Sequence, residues 1–188
     1  GYVPVAAASR DQAEITYRQA EGFVYRTPTL RRVFKCLEGH RRIRCDAMRS
    51  RIQVFAADDK TGDGVIPTLC LVEELHRHKD LRLYRTWTGK LGKRQGQMIA
   101  ISTGGEAGSE FEQTRSRIRE SAPDIVREGA FTRAAGPQLI LHDYAIADGE
   151  DPEDLEAVKA ANPFGRITLD ALREKRASPT MTLGHWLR

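Results

Sequence analysis

Two short runs of uninterrupted apolar residues, Leu69-Cys70-Leu71-Val72 and Met98-Ile99-Ala100-Ile101, constrain this chain more than any other feature. Neither alternates with polar residues, which is the pattern of strands covered on both faces in a parallel sheet. Between them Leu81 to Trp87 reads as a short helix. Upstream, the apolar run Val3 to Ala8 is followed by Ser9-x-x-Gln12, a capping-box pattern. It opens a helix with apolar positions at Ala13, Tyr17, Ala20 and Val24 that stops before Pro28. Ile52, Val54 and Ala56 alternate as a strand, and Asp58 to Gly64 is a turn-rich loop. Downstream, Ser109-x-x-Glu112 caps a helix running to Ser121, and Gln138 to Ile146 is a further strand. Asp151-Pro152 opens another helix and Thr168 caps a last one. Strands separated by helices predict an α/β protein, a three-layer arrangement around a mostly parallel sheet.

The 188 residues, 40% of them hydrophobic, suffice for one domain, or one domain and a small appendage. No stretch approaches the roughly 18 apolar residues of a membrane span, and Gly1 to Arg10 lacks the pattern of a signal peptide. A soluble, cytoplasmic protein without a membrane partner is expected. Cys36, Cys45 and Cys70 show no metal-ligand spacing, and Cys70 reads as a small core residue. Trp87 and Trp186 read as packing residues, because no aromatic ladder for bases accompanies them.

The net charge of +4 is unevenly distributed. Arg26 to Arg51 holds nine Lys/Arg against two acids, and Arg77 to Arg94 holds seven against Asp80 alone. A single basic run is ordinarily a solvated face. Two of them around the apolar centre raise the prospect of a nucleic-acid surface, with Arg82, Arg85, Lys90, Lys93 and Arg94 as candidate contacts. Asp143 to Glu156 carries seven acids and no base, and reads as a surface loop plus the first turn of a helix.

The first apolar run ends abruptly in Glu73-Glu74. Ligands of open parallel sheets bind beyond the carboxyl ends of the strands, and adjacent strand residues face opposite ways. Two acids there can therefore divide the work of nucleotide hydrolysis: Glu73 holds Mg2+, directly or through water, and Glu74 orients or deprotonates the attacking water. This is the Walker B pattern, although an ordinary surface turn has the same composition. The second run ends in Ser102-Thr103-Gly104-Gly105, whose hydroxyls suit the γ-phosphate or the water. Glu73-Glu74-x-His76-x-His78 also admits a metal-site reading, but the chain turns there and no third ligand set is nearby, so polar loop histidines are preferred.

Val5-Ala6-Ala7-Ala8-Ser9 with Gln12-Ala13, Gly62-Asp63-Gly64, Leu71-Val72-Glu73-Glu74-Leu75-His76-x-His78 and Ile101-Ser102-Thr103-Gly104-Gly105 together resemble the ATPase part of the large terminase subunit of tailed bacteriophages. Lys159-Ala160-Ala161-Asn162-Pro163 and Leu172-Arg173-Glu174 are similar to the segment that follows that core. The resemblance implies a P-loop NTPase type of fold, incomplete here, divided into an ATPase core over residues 1–147 and a helical, lid-like segment over 148–188. It implies an ATP- and Mg2+-dependent motor that drives double-stranded DNA into a prohead in the bacterial host cytoplasm, as a homo-oligomer with a small terminase subunit and a portal protein. Glu73 matches the metal-associated Walker B acid, where Asp is usual. Glu74 matches the catalytic carboxylate, and Ser102 and Thr103 match the coupling motif, where Thr often comes first. The family's trans-acting arginine has only Arg51 and, in the loop, Lys60 as stand-ins.

The phosphate loop G-x-x-x-x-G-K-[ST] is absent from the sequence: Gly89-Lys90-Leu91 and Gly92-Lys93-Arg94 lack its hydroxyl and spacing. In the family this loop lies upstream of the segment resembling Val3 to Gln12, and a nuclease domain follows the stretch resembling His185 to Arg188. An internal piece of a terminase large subunit, inactive alone as an ATPase, is therefore expected. The alternative is a catalytically inactive terminase-like module that binds DNA or a packaging partner through its basic tracts.

Overall fold

The computed structural model describes residues 1–57, 64–147 and 149–186. Of the loop Asp58 to Gly64 only Gly64 is among them, so Lys60 and the Gly62-Asp63 pair lie outside the described residues. The chain forms two compact units, Gly1–Gly105 and Glu106–Arg188.

In the first unit β1 (Tyr2–Ala7) is flanked in parallel by β4 (Ser50–Ala56) and β5 (Leu69–Glu73), and β6 (Gln97–Ile101) adds in parallel beyond β5. On the other side β3 (Arg42–Cys45) and β2 (Lys35–Leu37) add antiparallel strands, giving a six-stranded sheet of order β2-β3-β4-β1-β5-β6. The period of two sorts the side chains onto two faces. Val5, Ala7, Val54 and Ile43 form one apolar cluster with Ala13, Tyr17 and Val24 of helix α1 (Arg10–Arg26), against which Leu71 also packs. Phe55, next to Val54 and so on the other face, meets Trp87 of α3 (Arg82–Thr88) edge-on, with ring centroids 6.3 Å apart. Such a pair contributes about 0.5–1.5 kcal/mol beyond its burial, and Trp87 is fully buried. Helices thus cover both faces, and the unit is the expected α/β fold around a mostly parallel sheet.

Local signals set the helix ends. The Ser9 hydroxyl accepts from the Gln12 amide at 3.2 Å and caps α1, which ends at Arg26. Pro28 then opens a separate short helix, α2 (Pro28–Val33), as a proline at the first helical position can.

Three expectations for this unit need correction. The run Met98 to Ile101 is not covered on both faces: β6 is an edge strand, with Ile99 51% and Ile101 65% exposed. The tract Arg26 to Arg51 is not merely a charged face, because β2, β3 and the start of β4 run through it, with Ile43 and Cys45 facing inward between Arg42 and Arg44. His78 lies in the turn after β5, as a loop histidine would, but it is buried, at 8% exposure.

The second unit opens with α4 (Glu110–Ser121), capped by Ser109 as expected, whose hydroxyl accepts from the Glu112 amide at 3.3 Å. The strand expected at Gln138 to Ile146 is β9 (Leu139–Tyr144), but it belongs to a separate antiparallel sheet with β7 (Asp124–Glu128) and β8 (Phe131–Gly136). Gly129, at φ 57°, and Ala130 make the tight turn between β7 and β8. Asp143 is not part of a surface loop: it is 7% exposed on β9 and accepts from Arg115 at 3.4 Å and Arg119 at 3.3 Å, both on α4. Three short helices complete the unit, α5 (Leu155–Ala160), α6 (Leu169–Ala177) and α7 (Leu183–Trp186). Thr168 caps α6 as expected, but Asp151 does not cap α5. Its carboxylate accepts from the Glu153 amide in a turn, and Asp154 is the cap one turn later. Trp186 donates its indole N–H to the Pro152 carbonyl at 2.7 Å.

Candidate functional site

The parallel strands bring the expected hydrolytic and coupling residues to one end of the sheet. Glu73 lies opposite Ile101 in the register of β5 and β6, so the turns that carry Glu74 and Ser102 begin level with each other. Glu73 shares the face of Leu71, towards α1, and its carboxylate accepts a 2.5 Å hydrogen bond from the Thr16 hydroxyl on that helix. Glu74 leaves the strand in the left-handed conformation, φ 48° and ψ 52°, which costs a non-glycine residue about 1–2 kcal/mol. The two acids consequently diverge. The Glu74 Oε2 atom lies 3.2 Å from His76 Nδ1, and the same nitrogen lies 3.0 Å from Ser102 Oγ. Ser102 Oγ also accepts from the His76 backbone N–H at 3.0 Å. Thr103 Oγ1 sits 3.5 Å from both ring nitrogens of His76.

Two contributors to this arrangement were not legible as such. Thr16 shows no signal in sequence beyond its place on the helix that follows β1. His76 was visible only as one of two spaced histidines. The other, His78, turns inward and its Nε2 lies 3.0 Å from the Glu73 carbonyl oxygen. Burial holds its pKa below the ordinary histidine value, so the ring is neutral, with Nε2–H donating to that carbonyl and Nδ1 buried without a hydrogen-bond partner.

Among the described residues no group of three or more His, Cys, Asp or Glu side chains is placed to hold a metal ion. Mg2+ needs no such group, because it keeps several waters and binds through one or two carboxylates plus substrate phosphates. The Glu73 carboxylate beside the Thr16 hydroxyl fits a water-mediated role of that kind.

The two basic tracts meet. Arg42, Arg44, Arg49 and Arg51 of the first tract and Arg94 of the second line one cavity of about 560 Å³. Asp46, the one acid among its described lining residues, is bound to Lys35 and Arg44, both at 2.9 Å, and these cations hold its carboxyl below the usual range. Arg51 stacks over the Tyr2 ring at 4.1 Å. Of the other candidates, Arg82 is paired with Asp80 at 2.9 Å, Arg85 lies exposed on α3, Lys90 is half-buried, and Lys93 is exposed in the turn Leu91–Arg94. None of these four lines the cavity.

Among the described residues no helix is long and apolar enough to cross a membrane. A search of curated protein sequences gives no match. Solved structures share the fold. The HK97 bacteriophage large terminase superposes with a TM-score of 0.73 at 20% identity, over 93% of this chain and 36% of that one. The large terminase ATPase domain of Thermus phage P74-26 superposes with a TM-score of 0.52 at 17% identity, over 69% of this chain and 56% of that one. A mutant of the same domain gives 0.59 at 15% identity, over 95% and 72%. This chain therefore spans about a third of the HK97 protein's length. Residues 2–120, which include both strand-end turns, match the family described as terminase large subunit, ATPase domain, and the chain belongs to that family.

Proposed function

We propose that this chain supplies the hydrolytic and phosphate-sensing edge of an ATP-driven motor that packages double-stranded viral DNA into proheads. The observation that carries the proposal is the convergence of Glu74 and Ser102 on His76 at the carboxyl ends of two adjacent parallel strands. Glu74 orients the attacking water and accepts its proton, and the hydroxyls of Ser102 and Thr103, on the far side of His76, report whether the γ-phosphate is present. Glu73, steadied by Thr16, holds Mg2+ through water. When bound, the ion neutralises charge on the β- and γ-phosphates.

Residues 1–147 form the ATPase core in this proposal, and the segment 148–188 is lid-like. The phosphate backbone of double-stranded DNA is the ligand of the basic surface, with the arginine-lined cavity as one contact and Arg82, Arg85, Lys90 and Lys93 flanking it in sequence. The full subunit works as a ring in the host cytoplasm with a small terminase subunit and a portal protein.

The test is the Glu74→Gln substitution in a full-length subunit containing this chain. Loss of a positioned base lowers turnover by about 10²–10⁴-fold, while ATP binding, measured with a fluorescent analogue, stays within a few-fold of wild type. Wild-type turnover in the variant overturns the proposal.

A further inference from the structure

Two peptide units meet at the Glu74 Cα, and the setting of their planes is what φ 48° and ψ 52° describe. Both units are anchored through their carbonyl oxygens. That of Glu74 accepts from the Arg77 amide at 2.8 Å, a backbone bond of the turn Leu75–Arg77 that any residue but proline makes at position 77. That of Glu73 lies 3.0 Å from His78 Nε2. A carbonyl oxygen only accepts hydrogen bonds, so Nε2 carries the proton of the neutral ring and donates it there. The second anchor therefore depends on a side chain, where the first does not.

The burial of His78 points the same way. The residue is 8% exposed, and its Nδ1 is buried with no hydrogen-bond partner among the described residues. Filling space gives no reason for that, since an apolar side chain packs without leaving a polar atom unpaired. What histidine supplies at this position is the bond from Nε2, which returns the chain at residue 78 to the strand end it left at residue 73. A left-handed backbone at a residue other than glycine persists where its surroundings hold it. Turning over the peptide between Glu73 and Glu74 changes φ at Glu74, and it breaks the bond to His78.

We propose that His78 is a positioning residue which, by donating Nε2–H to the Glu73 carbonyl, locks the peptide before Glu74 and so aims the Glu74 carboxylate at the attacking water. The inference rests on the reading of Glu74 as the hydrolytic carboxylate. His78 acts through the backbone and touches neither water nor nucleotide in this role, so its loss is read in kcat more than in KM for ATP.

The experiment compares His78→Gln with His78→Asn in the full-length subunit. A Gln amide N–H reaches the place of Nε2, whereas an Asn amide reaches only the place of Nδ1 and leaves the Glu73 carbonyl without its donor. His78→Asn is expected to lower kcat by about tenfold or more, within the range that a misplaced catalytic group costs, with KM for ATP changed less than kcat. His78→Gln keeps most of the rate. Equal kcat for the two variants, or a His78→Asn rate within twofold of wild type, overturns the inference. A second readout needs neither a variant nor turnover: long-range nitrogen NMR of the 188-residue chain at neutral pH finds the His78 ring with its proton on Nε2, and a proton on Nδ1 alone overturns the inference. If Glu74→Gln leaves turnover intact, the hydrolytic reading fails. If Glu74→Gln abolishes turnover and the two His78 variants are alike, only the role of His78 fails.

Discussion

The backbone of Glu74 makes glycine and alanine trade places in their effect on stability. Glu74→Gly and Glu74→Ala both delete the carboxylate and its contact with His76, so that loss cancels when the two variants are compared. What remains is the conformation. At φ 48° and ψ 52° alanine retains the left-handed cost of about 1–2 kcal/mol, whereas glycine is free of it. Glycine loses about 0.5–1 kcal/mol more chain entropy on folding. The difference leaves Glu74→Gly more stable than Glu74→Ala by about 0.5–1 kcal/mol, the reverse of the order in a helix or strand interior. Urea unfolding measures it, followed by tryptophan fluorescence in a Trp186→Phe background so that Trp87, buried in the same unit as Glu74, is the sole reporter. Equal m-values license the comparison. An alanine variant as stable as the glycine variant refutes a left-handed Glu74 and, with it, the divergence of the two acids.

If the arginine cavity meets DNA phosphates, the double substitution Arg49→Ala and Arg94→Ala in the full-length subunit weakens binding to duplexes of any sequence. It lowers the slope of log K against log salt by about 2, and an unchanged slope removes the cavity from the DNA surface. Burial pushes the Cys70 thiol up to about 12, so at pH 8 its thiolate is scarce as well as inaccessible. Mass spectrometry after brief iodoacetamide treatment finds Cys70 unmodified in the native chain and modified in urea, and rapid native labelling contradicts the buried central strand.

What was legible in the sequence was local. The caps at Ser9, Ser109 and Thr168 work through hydrogen bonds to backbone amides three residues on, so a short motif contains the whole interaction. The strand Leu69–Glu73 was legible because its neighbours on both sides, β1 and β6, are as apolar as its sequence demands. The same pattern misled at Met98 to Ile101, since whether an apolar run is covered depends on elements that the run does not encode. Arg42 and Arg44 hid a period of two behind their charge. The β7–β8 hairpin was not read from the sequence, because its first strand, Asp124–Glu128, is exposed along its whole length and shows no buried face. Asp143 was assigned to an acidic surface because its arginine partners lie 28 and 24 residues away, on a helix packed against it only after folding. At the candidate site the strand ends pointed to Glu73, Glu74, Ser102 and Thr103. The parts played by His76 and Thr16 depend on the turn after Glu74 and on the docking of α1, neither of which any motif specifies.

The edge position of β6 has a consequence for the behaviour of the 188-residue chain in solution. Gln97-Met98-Ile99-Ala100-Ile101 carries none of the usual guards of a free edge, neither lysine nor proline, and exposes two isoleucines beside a row of backbone groups unpaired by any described strand. Such an edge is a template for another extended chain. Whatever pairs with it terminates beside Ser102, so self-association of these strands would crowd the hydroxyl turn. Concentration-dependent clumping and loss of access to that turn are then one event.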